Sequence, residues 1–128
     1  MEFIKFNISE VTDLSNMFDS CTSLEKLNIS ILNTSDVENM SGMFHKCISL
    51  KSLDLSNFNT SSVTNLSNMF NKCLNLTELD LSNFNTSKVV NISRMFQNCL
   101  LLESFPLTNL DTSSVIDMSY LFRGCVLI

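Results

Sequence analysis

The chain repeats itself every 26 residues. Cys21, Cys47, Cys73, Cys99 and Cys125 are spaced by that interval, with no insertion or deletion between them. A period of this size, held without slippage, constrains the fold more than any local feature. One unit is a supersecondary element that can bury its apolar side only against a copy of itself. The 128 residues therefore read as one solenoid array over 1–128, with units starting near Val11, Val37, Val63, Val89 and Val115.

Columns that stay fixed from copy to copy show what each turn needs. Three residues beyond the valines come Leu14, Met40, Leu66, Ile92 and Met118. Met17, Met43, Met69, Met95 and Leu121 follow, then Phe18, Phe44, Phe70, Phe96 and Phe122, then the cysteines. Counted from the valine, these apolar positions fall at 0, 3, 6, 7 and 10, a helical spacing. Asp13, Asn39, Asn65, Asn91 and Asp117 precede the second column, and all are good N-cap residues. The spacing predicts a short helix in each copy, starting at Leu66 in the central one, and packing must hold it because it is too short to persist alone.

The second half of the unit has another pattern. Leu50, Leu53, Leu55 and Phe58 are spaced L-x-x-L-x-L-x-x-F, and so are Leu76, Leu79, Leu81 and Phe84. The alternating part predicts a short strand in every copy, running parallel to its neighbours at about 4.8 Å. A polar turn follows, with Thr34-Ser35, Thr60-Ser61, Thr86-Ser87 and Thr112-Ser113 fixed in it. Such hydroxyls are expected to satisfy backbone groups where the chain bends. The fold class expected is α/β: short parallel strands along one face of a solenoid and short helices along the other, in about five turns.

The L-x-x-L-x-L string resembles the leading segment of a leucine-rich repeat. The fuller string, Leu79-Asp80-Leu81-Ser82-Asn83-Phe84-Asn85-Thr86-Ser87-Lys88-Val89 continued by Met95-Phe96-Gln97-Asn98-Cys99, resembles the BspA-like leucine-rich repeats of bacterial, mycoplasma and protist surface proteins. The likeness runs along essentially the whole chain and rests on Thr-Ser-x-Val and Met-Phe-x-x-Cys, which are not general to leucine-rich repeats. It implies display at the cell surface or secretion, adhesion to a host or extracellular-matrix protein, and no catalytic residues. Pro106 stands where the strand usually has Asp or Asn, so the last strand is expected to be imperfect.

Charge narrows the choice of partners. The net charge is −5 and the eight Lys and Arg form no run, so nothing marks a groove that tracks phosphates and nucleic acid is not expected. No apolar stretch approaches membrane-spanning length, so membrane insertion is not expected. The residues from Met1 to Asn7 lack the basic start and apolar segment of a secretory signal. An odd number of cysteines at one repeat position fixes neither an oxidising nor a reducing compartment.

Candidate chemistry is sparse. Single cysteines a whole repeat apart lack the short C-x-x-C pairs of a structural zinc site, and read as small buried hydrophobes. His45 near Cys47 belongs to the column Asp19, His45, Asn71, Gln97, Arg123, whose variety is that of solvated surface. No metal, cofactor or catalytic constellation is expected. With the leucines inward, Lys26, Asn28, Ser30, Ser52, Asp54, Ser56, Glu78, Asp80, Ser82, Ser104 and Thr108 face outward. They tile a polar, mildly acidic face, the surface over which a solenoid binds a protein partner. End-to-end self-association through uncapped ends is the competing expectation.

Overall fold

Hydrogen bonds between successive turns hold this chain together. A computed structural model describes residues 8–104, 106 and 109–128, and the 26-residue translation relates one turn to the next throughout. From Leu66 to Cys73 the backbone alternates two kinds of bond. The N–H groups of Leu66, Asn68, Phe70 and Lys72 reach the carbonyls of Asn91, Ser93, Met95 and Gln97 on the next turn, at 2.8–2.9 Å. Between them, the N–H groups of Met69, Asn71 and Cys73 return to the carbonyls of Leu66, Asn68 and Phe70, three residues back, at 3.0–3.2 Å.

This alternation replaces the expected helix. Among the described residues there is no α-helix, and the segment starting at Leu66 is a ladder of tight turns. Two residues of each copy carry the reversal, in the left-handed region where no α-helix can continue: Asn68 (φ 59°) and Lys72 (φ 63°) in the central one. Gly42 (φ 63°) and Gly124 (φ 80°) take these positions in two other copies and meet the requirement without a Cβ. A lone two-turn helix leaves its first N–H groups and last carbonyls without partners. The ladder instead gives every second N–H to the next turn. Successive tight turns also return each third or fourth side chain to one side, which is why the apolar spacing looks helical.

The residues expected as N-caps still capture a nearby N–H, but at a turn. The Asn65 side-chain oxygen accepts the Ser67 N–H at 2.9 Å, and Asn39 and Asn91 do the same for Ser41 and Ser93. This column is also bridged in parallel from Asp13 through Asn39, Asn65 and Asn91 to Asp117.

Strands form in the expected parallel register but are shorter and, among the described residues, fewer. β1 (Ser52–Leu53) pairs with β2 (Glu78–Leu79), Ser52 opposite Glu78 and Leu53 opposite Leu79. Each stops after two residues because the next carboxylate bends the chain. Asp54 accepts the Ser56 N–H at 3.0 Å and Asp80 the Ser82 N–H at 2.8 Å, Asx turns that compete with extension. The last copy's strand falls partly on 105, 107 and 108, outside the described residues. Pro106 is buried and its carbonyl accepts the Leu81 N–H at 3.0 Å, so the stack continues across it.

The core is a set of side-chain rods. Phe18, Phe44, Phe70, Phe96 and Phe122 stack with ring centroids 5.6–5.8 Å apart and planes within 9° of parallel. Phe44, Phe70 and Phe96 are fully buried. The Thr hydroxyls act as expected, but between turns. Buried Thr60 donates to the Asn85 carbonyl at 3.1 Å and accepts the Asn85 N–H at 2.8 Å. Thr34 and Thr86 repeat this with Asn59 and Asp111. The serines that follow bond mainly to neighbouring Asn side chains, as Ser61 does to Asn59.

Candidate functional site

Leu53 and Leu79 point inward and leave the polar neighbours on β1 and β2 outside. An open groove of about 620 Å³ runs along these strands, lined by Ser52, Asp54, Glu78, Asp80, Glu103 and Ser104 with the two leucines and Thr77. Four carboxylates on three successive turns therefore share one depression, and no Lys or Arg lines it. The Ser56 hydroxyl and N–H hold the Asp54 carboxyl below the usual carboxylate range, and the Ser82 N–H and hydroxyl do so for Asp80. Both stay ionised at neutral and mildly acidic pH. The contribution of these turns to stability is present above the ordinary carboxylate pKa and is lost as pH falls through the lowered one.

Of the residues expected to face outward, Ser52, Asp54, Glu78, Asp80 and Ser104 come together in the groove. Lys26, Asn28, Ser30, Ser56 and Ser82 are exposed but do not line it. Ser30, Ser56 and Ser82 each give their N–H to the Asn or Asp two residues earlier, so their column is first of all a turn device. Thr108 lies outside the described residues. Glu103 and Thr77 line the groove but are absent from the alternating pattern, because they occupy the first x of L-x-x-L. Their column, Glu25, Lys51, Thr77, Glu103, is never apolar, and that was the available signal. Its Lys51–Glu25 pair, 3.0 Å apart and well exposed, contributes little to stability.

The cysteine column is structural. Four of the five thiols donate to the carbonyl of the preceding turn's phenylalanine: Cys47 to Phe18, Cys73 to Phe44 and Cys99 to Phe70 at 3.2 Å, and Cys125 to Phe96 at 2.9 Å. Burial pushes the Cys47 thiol up to about 11 and Cys99 to about 12, and raises Cys73 as well. A thiol whose folded pKa lies above its unfolded value, 9.0 for these groups, stabilises the fold fully below that value and loses the contribution as pH rises through the folded one. Stability is therefore expected to hold to about pH 9 and then fall, each buried thiol adding up to about 1.4 kcal/mol per pH unit to the slope. Urea unfolding at stepped alkaline pH measures this, and Cys73→Ala should remove one thiol's share. His45 meets Asp19 at 3.0 Å. Among the described residues no three His, Cys, Asp or Glu side chains converge where a metal ion could sit.

The family model described as "Mycoplasma protein of unknown function, DUF285" matches residues 2–78 and again 64–126. The chain belongs to this family. The two matches overlap and together run along nearly all of the array. Comparison with solved structures finds a leucine-rich repeat protein from Eubacterium ventriosum at 21% identity and a TM-score of 0.44, covering 71% of this chain and 29% of that one. The T. pallidum leucine-rich repeat protein is 15% identical with a TM-score of 0.34, covering 72% of this chain and 61% of that one. The DUF285 chain thus spans less than two thirds of either protein. A comparison with the curated proteins found no match.

Proposed function

We propose that this chain is a non-enzymatic protein-binding module of a surface protein of the BspA-like leucine-rich-repeat type. Its groove takes an extended cationic segment of a protein partner, and on a cell surface such binding serves adhesion. One observation carries the reading: four carboxylates and no cation line a groove with an apolar floor. Complementary charge of this kind steers a basic partner and selects against an acidic one. The match to DUF285, a repeat family, supports a module that works by its surface.

Fluorescence anisotropy tests it with labelled extended peptides, one rich in Lys and Arg and one neutral of equal length. The basic peptide should bind, more weakly as salt rises. The D54N/D80N variant keeps an oxygen for each Asx turn while removing two charges, and should weaken binding about tenfold, the effect of about 1.4 kcal/mol. Equal binding of both peptides, or an unchanged affinity in the variant, would overturn it.

A further inference from the structure

Four of the five turn ladders carry cations; the first, 14–22, carries Asp19 instead, and Lys26 and Lys51 lie on the strand side. The turn ladders at 40–48, 66–74, 92–100 and 118–126 carry Lys46, Lys72, Arg94 and Arg123 and not one carboxylate. All four cations are exposed. The Arg94 and Arg123 guanidiniums stand 5.3 and 5.2 Å from the Tyr120 ring centre, so one aromatic ring gathers both. The ion pairs among the described residues, His45–Asp19 and Lys51–Glu25, include none of the four, although Arg94 helps hold Asp117 ionised. None of them lines the acidic groove.

We propose that this basic stripe docks, side by side, into the acidic groove of a second copy of the chain. The proposal rests on the groove being a site for cationic partners and names the partner. Two features favour a second copy. The signs are complementary, and four of the eight Lys and Arg of a molecule of net charge −5 lie along this stripe. The spacing also matches. Lys46 and Lys72 are equivalents one turn apart, and so are Asp54 and Asp80. Both rows therefore advance by the rise of the same solenoid, and a second copy meets them charge for charge where a partner of another period drifts out of step. Stripe and groove are different surfaces, so each copy added leaves one of each open and the assembly grows beyond two.

Sedimentation velocity at low ionic strength tests this with three proteins. The native chain should sediment faster as concentration rises, and should return to a monomer in high salt, where charges are screened. K46E/K72E cancels the net charge of the stripe, and D54N/E78K/D80N/E103K reverses the groove. Each should be monomeric alone, and an equimolar mixture should associate again, because each offers the side the other lacks. Both variants should keep the native thermal midpoint: the altered side chains are exposed, Asn preserves the Asx oxygens, and Glu fits a positive φ no worse than Lys. K46Q/K72Q replaces the first variant if Glu disturbs the ladder.

A native monomer at low salt overturns the proposal, even one that retains a soluble polyanion. So does a mixture that stays monomeric, or a variant that associates alone as the native chain does. Capture of the basic peptide by K46E/K72E, whose groove is intact, separates the two readings. Capture without association sinks the docking and leaves the groove standing. Absence of capture by the native chain takes both.

Discussion

Phe70→Ala should be the most damaging single change in the array. It empties the middle of the phenylalanine rod, where Phe70 lies between Phe44 at 5.6 Å and Phe96 at 5.8 Å and is fully buried. Removing a buried Phe costs about 3–5 kcal/mol, a large part of what a domain of this size has. Neighbouring turns cannot close the gap, because each is fixed by backbone bonds to the next. Phe18→Ala should lose about half as much, since that ring is half-buried and has one stacking partner in the rod. Urea unfolding measures both. A lowered m-value for Phe70→Ala would show the array splitting into segments that unfold separately. Equal losses at positions 18 and 70 would show that ring stacking does not carry the cooperativity.

Thr60→Val should come second, and it runs against hydrophobicity. Val matches Thr in shape and is more apolar, but the Thr60 hydroxyl serves both the N–H and the carbonyl of Asn85 on the next turn. Losing it leaves two part-buried backbone groups without this partner, at about 1–3 kcal/mol each. Thr60→Ser keeps the hydroxyl and loses one methyl, about 1 kcal/mol. Chemical denaturation should rank the native protein first, Ser second and Val last. A Val variant as stable as native would mean that water replaces the hydroxyl and that this column does not tie the turns together.

The period alone shows which side chains stack, since only a solenoid keeps Cys47 and Cys73 in equivalent places, and the core followed from it. The backbone was harder to read. Offsets of three and four residues belong equally to a helix and to successive tight turns, so Leu66, Met69, Phe70 and Cys73 could not separate the two. The deciding signal lay in the columns Asn16, Gly42, Asn68, Arg94, Tyr120 and Ser20, Lys46, Lys72, Asn98, Gly124. Asn and Gly occur in both, as left-handed positions ask, but Arg, Lys and Tyr in the same columns hide the demand. Alternation correctly placed Asp54 and Asp80 outward. It could not show that the same carboxylates bend the chain through Ser56 and Ser82, because turn formation and partner binding call for the same residue at the same place.

The interleaved bonding of the turn ladder also governs which length changes the chain tolerates. A single inserted residue between Leu66 and Cys73 would exchange the N–H groups that point along the axis for those that fold back, and would break the ladder from that point on. Removing or duplicating a whole 26-residue block would instead restore every donor to an equivalent acceptor. Genetic slippage in units of 78 nucleotides, three per residue over 26 residues, could therefore lengthen or shorten the rod while leaving its cross-section unchanged.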